Sequence, residues 1–390
     1  MILLKNAKLI PMDESMEREF IGDVLIEGKC IKAVGKGLSA DGAEEYDLTG
    51  MTVVPGIIDA HCHIGMFEDG MGFEGDDGNE MSATTTPEMR AIDAINPFDR
   101  CFVEARNGGV TTCVTGPGSA NVVGGTFAAV KTCGRDVEDM LLRSPVGMKA
   151  AFGENPKRVY HQQKTIYTRM QIAATLRKTL AKAKEYEKKI RLAGDDESKL
   201  PERDLGMEAM LPVIRRELPL KIHAHRADDI LTALRIAREF NIRVTLDHCT
   251  EGYLIPEQLK ECVRDTGAGI IIGPLLSDRG KIELRNQSYD APRILYENGI
   301  EFAMMTDHPV IPQQYLPVAA GLAVRAGLPE YEALRSITIN AAKVTGLDDR
   351  IGSISVGKDA DIAVFDGSPL QTFTHCVMTI INGSICHNSL

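Results

Sequence analysis

His61-Cys62-His63 ends an apolar run, Val54-Pro55-Gly56-Ile57-Ile58-Asp59-Ala60. Successive strand side chains point to opposite faces, so positions two apart share a face, about 6.6 Å apart at a rise of ~3.3 Å per residue. Two imidazoles placed this way at a strand end can chelate one ion. A lone His-x-His pair is a weak signal, since such pairs also occur on surface strands, but the apolar run before this one argues against a solvated strand. The chain has nine histidines, and six of them (His61, His63, His223, His225, His248 and His308) directly follow predicted strands. Incidental histidines would scatter over loops and helices. Six strand-end imidazoles instead form a nitrogen donor set for a divalent cation. Asp307 closes Glu301-Phe302-Ala303-Met304-Met305-Thr306 in the same manner. A carboxylate ending an apolar strand loses hydration unless a cation or hydrogen bonds compensate it.

These residues need elements that hold them at one place. Apolar runs of strand length that end in a polar residue occur at Gly56–Asp59, Val110–Thr115, Val146–Phe152, Leu220–His223, Ile242–Asp247, Ala268–Ile272 and Phe302–Asp307. Between them lie amphipathic stretches such as Ile230–Phe240 and Ala333–Val344. In the latter, Leu334, Ile337, Ala341 and Val344 share one helical face and Gly346 is placed to end it. Strands alternating with helices imply a parallel sheet, and seven or eight such units point to an α/β fold of the (β/α)8 TIM-barrel type. Sites in that fold collect at the C-terminal rim. Whether Thr126–Thr132 adds a strand stays open. Both chain ends are glycine-punctuated and β-rich, so residues 1–54 and 346–390 are expected to build a small β-sandwich, with residues 55–345 as the barrel domain.

Residues 66–100 form a long, acid- and glycine-rich connection of the kind that usually carries function or moves. Residues 156–218 read as solvated helix. The loop Gly116–Gly125 lacks the Gly-Lys-Ser/Thr ending of a phosphate-binding loop and reads as a pocket lining with backbone donors. Arg226, Lys157 and Arg158 could hold a substrate carboxylate, but surface solvation explains each of them as well. No serine or cysteine triad stands out, and Cys62 faces away from its flanking histidines.

The composition, 44% hydrophobic and 25% charged, is that of a globular protein. A formal charge of −11 with scattered basic residues argues against nucleic-acid or anionic-membrane partners. Nine cysteines without a CxxC pair read as reduced thiols rather than a disulfide framework. The N-terminus lacks a signal-peptide layout and no apolar stretch reaches membrane length, so a cytoplasmic protein acting on a small molecule is expected. A homo-oligomer stays open.

Taken together, several segments resemble the amidohydrolase superfamily, within it imidazolonepropionase-like and Xaa-Pro dipeptidase-like members. They are Pro55–His63, Ile222-His223-Ala224-His225, Leu246-Asp247-His248, Met305-Thr306-Asp307 and the tail Gly352–Asp361. Each part alone is unspecific, whereas the combination spans nearly the whole chain. The resemblance implies one or two divalent ions, Zn²⁺ foremost, held by His61, His63, His223, His248 and Asp307, with Asp307 also the general base. A bridging carboxylate should come from a middle strand. Glu154, directly after a strand, is preferred, because its order relative to His223 and His248 resembles that of N-acetylglucosamine-6-phosphate deacetylases. A carboxylated Lys149 is the alternative, set further back. His225 and His248 would orient substrate or steady an oxyanion.

The expected chemistry is hydrolysis of a C–N bond in an amide, peptide or cyclic amide by metal-activated water. Deamination of a heterocycle is the alternative, weakened because Ala224-His225-Arg226-Ala227-Asp228 lacks the Glu that superfamily deaminases carry soon after this histidine. A non-catalytic relative would have lost ligands, and here the set is complete.

Overall fold

Short strands separated by glycine turns begin the chain: β1 (Ile2–Leu9), β2 (Phe20–Glu27), β3 (Cys30–Gly35), β4 (Glu44–Asp47) and β5 (Thr52–Pro55). A second series follows: β6 (Ile57–Cys62), β7 (Val110–Thr115), β8 (Val123–Lys131), β9 (Leu141–Ala151), β10 (Leu220–Ala224), β11 (Val244–His248), β12 (Gly269–Ile272) and β13 (Ala303–Met304). The chain ends in β14 (Ile362–Phe365), β15 (Cys376–Ile381) and β16 (Ser384–Asn388). The computed structural model describes residues 1–390.

Strands from both ends form one sheet in the order β16-β15-β14-β5-β1-β2-β3, with β4 also paired to β1. Its core is a separate cluster that includes Leu4, Leu9, Val24, Ile26, Val53, Ile362, Val364 and Ile380. The middle strands form a second eight-stranded sheet in sequence order, β6 through β13. It curls until its ends meet: the Asp307 N–H donates to the His61 carbonyl at 3.2 Å and the His63 N–H to the His308 carbonyl at 2.9 Å. The result is a nearly closed TIM-type barrel beside a separate sheet.

The barrel departs from uniform direction at one strand. β8 exists, covers Thr126–Lys131, and runs antiparallel to both β7 and β9. The reason is chain length. A parallel crossover needs a dozen or more residues, whereas residues 116–122 and 132–140 are the only links on either side of β8. This reversal carries Lys131 to the far rim, where its ammonium meets Asp359 at 3.1 Å and also contacts Asp361. The tail motif thereby ties the terminal sheet to the barrel.

Around the barrel, the helix Ala227–Phe240 buries Ile230, Ala233, Leu234 and Ala237, the i, i+3, i+4, i+7 stripe of a core-facing helix. The stretch expected as one helix over 333–344 is two, Glu330–Ser336 and Ile339–Thr345. The break falls at Ile337, whose carbonyl leaves the helix to accept the Ile58 N–H of β6 at 2.9 Å. Gly346, at φ 69°, ends the second piece as expected. The charged segment after residue 156 contains the long helix Arg169–Ala193. No helix is long and apolar enough to cross a membrane.

Candidate metal centre

The alternation of strand side chains places Asp59, His61 and His63 on one face of β6 and its extension, and Lys221, His223 and His225 on one face of β10. All six are buried. His248 and Asp307 arrive differently. Their backbones turn left-handed, at φ 74° and φ 55°, which breaks the alternation at the strand end. Non-glycine residues hold this conformation where surrounding structure imposes it, often at functional sites.

The first donor group is His61, His63 and Asp307, whose ligand atoms lie within 4.8 Å of one another. Asp307 Oδ1 is 3.2 Å from His63 Nε2 and 3.6 Å from His61 Nε2. His63 Nδ1 lies 2.6 Å from the Gly116 carbonyl. That contact requires the proton on Nδ1 and orients the ring so that Nε2 faces Asp307. Burial raises the Asp307 carboxyl, but His248, His63 and His61 outweigh it and hold the group below the usual carboxylate range.

The second group is His223, His225 and His248, again within 4.8 Å. His248 Nδ1 lies 3.0 Å from the Gly273 carbonyl and His225 Nδ1 lies 2.7 Å from the Thr250 hydroxyl. His248 Nε2 and both nitrogens of His223 are buried without any hydrogen-bond partner. Burial, and next the neighbouring imidazoles, hold His223 and His248 far below the ordinary histidine value. Burial likewise takes His225 down to about 4. These are neutral rings, the form that binds metals. The two groups adjoin, with ring centroids of His61 and His248 5.7 Å apart and those of His223 and His248 4.2 Å apart.

Buried charges lie directly beneath. Asp247 Oδ2 is 2.7 Å from His61 Nδ1 and 3.2 Å from Lys221 Nζ. Lys149 Nζ is 3.3 Å from His61 Nε2, and burial lowers its ammonium to about 8. Burial first, then the Lys149 charge, push His61 down to about 3.

Six of the eight residues singled out from sequence, His61, His63, His223, His225, His248 and Asp307, converge here, while His308 is buried nearby but joins neither donor group. Glu154 does not join either donor group. Gly153, at φ 84°, turns the chain into the helix Glu154–His161, and it is the Glu154 backbone N–H that points inward, donating to Glu283 at 2.8 Å. Lys149 reaches the centre instead, although it lies further back on the strand, because its four-methylene stem spans the difference.

Asp247 and Lys221 carry a sequence signal, as charges inside strands otherwise apolar, but that signal does not show what they pair with. Glu283 has none. It sits in the short turn Ile282–Leu284 of the long segment after β12, and only the tertiary structure brings it to the histidines. The adjacent Lys281 donates to Asn155 Oδ1 at 2.8 Å, and Asn155 donates to Ser119 Oγ at 2.8 Å. Three rim loops are joined by that chain. The 66–100 connection is fastened to the same rim by Asn121, whose side-chain amide donates to the carbonyls of Glu80 at 2.6 Å and Ala83 at 2.8 Å.

Comparisons with known proteins agree with this architecture. An amidohydrolase from Thermotoga maritima MSB8 is similar over the full length of both chains, at 42% identity and a TM-score of 0.95. Amidohydrolase tasK from Hapsidospora irregularis is 31% identical across 94% of this chain, which spans 40% of the length of that relative. A Xaa-Pro dipeptidase solved with methionine in its active site shares the fold at 18% identity and a TM-score of 0.59, covering 98% of this chain and 99% of its own. Residues 52–386 match the model of the Amidohydrolase family, and the chain belongs to that family.

Proposed function

We propose that this chain is a metal-dependent hydrolase that cleaves a C–N bond of a small amide, peptide or cyclic amide. The observation that carries this reading is the convergence of two adjoining donor groups, the second of which holds buried nitrogens without hydrogen-bond partners. A buried polar atom left unsatisfied costs about 1–3 kcal/mol, and the second group alone contains three such nitrogens. A cation relieves that cost at His248 Nε2 and at one nitrogen of His223, so the residues fit a divalent ion. His61, His63 and Asp307 would hold one ion and His223 and His248 the same or a second, with Zn²⁺ best suited to this nitrogen-rich set.

Lys149 is the better source of a bridging carboxylate. Its neutral amine adds to CO₂ to form a carbamate and releases one proton, and burial raises the neutral fraction by lowering the ammonium to about 8. An ion bound here would acidify a water and polarise the scissile carbonyl. Asp307, held ionised at the edge of the centre, takes the proton from the attacking water and returns it to the leaving nitrogen. Asp247 and the carbonyls of Gly116 and Gly273 fix the orientation of His61, His63 and His248.

The test is metal content of the purified protein together with amine or ammonia release from a panel of amides, dipeptides, cyclic amides and amino-heterocycles. One or two tightly held divalent ions, and chelator-sensitive cleavage of an amide-type member, are expected. Protein that takes up no divalent ion, or loaded protein that cleaves only the heterocyclic amines, refutes the reading.

A further inference from the structure

Glu283 is 1% exposed, yet its Oε1 has no hydrogen-bond partner. That oxygen lies 3.9 Å from His223 Nε2 and 3.7 Å from His225 Nε2. Both separations are too long for a hydrogen bond, which runs to about 3.2 Å for N–H···O. They are close to what two ligands of one ion need, since bonds of about 2.0–2.1 Å put tetrahedral ligands ~3.3 Å apart and wider angles put them further. The other oxygen, Oε2, accepts the Glu154 N–H at 2.8 Å, so the carboxylate is aimed. Gly153 is required beside it: a Cβ there would come within 2.6 Å of Oε2. On the far side, His225 Nδ1 is occupied by Thr250, which leaves its Nε2 toward Glu283.

We infer that Glu283 is a metal ligand, and that His225 serves with it as a ligand of the ion held by His223. This rests on the hydrolase reading for the presence of an ion, and it extends that reading to two residues on separate rim elements. The arrangement also explains the placement of Lys281. Its tie to Asn155 and the Glu283–Glu154 contact anchor the start of the turn and the carboxylate itself. Loss of the ion would leave the buried Glu283 oxygen and the two imidazole nitrogens facing it unsatisfied, so the turn 281–284 should loosen when the protein is stripped.

The experiment is titration of chelator-stripped protein with Co²⁺, following bound equivalents and the visible ligand-field spectrum, for wild type, Glu283→Gln and His225→Asn. Gln retains an amide oxygen for the Glu154 N–H, so Glu283→Gln should fold, which its circular dichroism checks. The expected result is a changed spectrum in both variants and an affinity for one equivalent at least about tenfold weaker. A spectrum of Glu283→Gln identical to wild type overturns the assignment, whatever happens to affinity. Wild-type protein that binds no Co²⁺ overturns it together with the hydrolase reading. If Glu283 alters the spectrum but no amide is cleaved by the loaded wild type, the hydrolase reading falls and the ligand stands. If amides are cleaved and the spectrum ignores Glu283, the reverse holds.

Discussion

Asp247 Oδ2 lies 2.7 Å from His61 Nδ1, and both side chains are wholly buried. The carboxylate faces the imidazole on one side and the Lys221 ammonium, at 3.2 Å, on the other. Burial alone would raise this carboxyl, but Lys221 and His61 hold it below the usual range. It therefore acts as the fixed anion that sets the tautomer and orientation of His61 and balances a buried lysine.

Asp247→Asn should weaken metal binding about 10- to 100-fold by releasing His61. It should also destabilise the fold by about 3–5 kcal/mol, because Lys221 is left buried without its counter-charge. Chemical denaturation of the stripped protein reads the second effect separately from the first. Adding Lys221→Met should recover most of the stability and none of the affinity. Stability unchanged in the single variant would contradict the pairing.

Asp307→Asn keeps a side chain of the same shape beside His63 but cannot accept the proton of the attacking water. Fold and metal content should survive largely intact, while turnover falls by about 10²–10⁴. Circular dichroism, metal analysis and steady-state rates measure the three quantities. Near-normal turnover would remove Asp307 from the role of base.

Lys149 should make metal loading depend on CO₂. At a fixed CO₂ concentration, reloading of stripped protein should speed up as pH rises through about 8, because the neutral amine becomes the major form there. Lys149→Glu carries its own carboxylate and should load with no such dependence. Loading of wild-type protein at one rate with and without CO₂ would rule out the carbamate.

Lys131 tests the joint between the two sheets rather than the site. Its ammonium is 2% exposed and contacts Asp359 and Asp361, and Arg350 also reaches Asp359 at 2.8 Å. Lys131→Met should cost about 3–5 kcal/mol in denaturant unfolding by leaving carboxylates underpaired. Metal affinity should not change, since Lys131 lies at the opposite end of the barrel. A shift in affinity comparable to that of Asp247→Asn would show that the rims are coupled.

Chelation tests the proposed metal dependence through stability. At a free ion concentration of 100 times Kd, binding adds about 2.7 kcal/mol to stability. Chelation should lower the melting temperature of the wild type, and Zn²⁺ should restore it. A melting curve indifferent to chelator would mean that the donor groups are satisfied without a cation.

Apolar runs of strand length ending in His61, His63, His223, His225, His248 and Asp307 placed six donors at strand ends. Period-two alternation is local, so it could be read without any knowledge of neighbours. The barrel class followed from the same runs alternating with amphipathic stretches such as Ile230–Phe240. Even the reversal of β8 has a local cause, the short links at 116–122 and 132–140.

Other features were settled only in three dimensions. Whether Glu154 or Lys149 enters the centre depends on the turn at Gly153 and on how far a lysine stem reaches across the barrel. His248 and Asp307 face inward through left-handed backbone, which side-chain alternation does not predict. The single helix expected over 333–344 gave way where Ile337 bonds to β6. Glu283 meets the histidines although it is 129 residues from its backbone partner Glu154, and Asp247 meets Lys221 and His61 from three different strands. Strand and helix periodicities are set by neighbours along the chain, whereas the balance of buried charge is set by groups that meet only after the barrel closes.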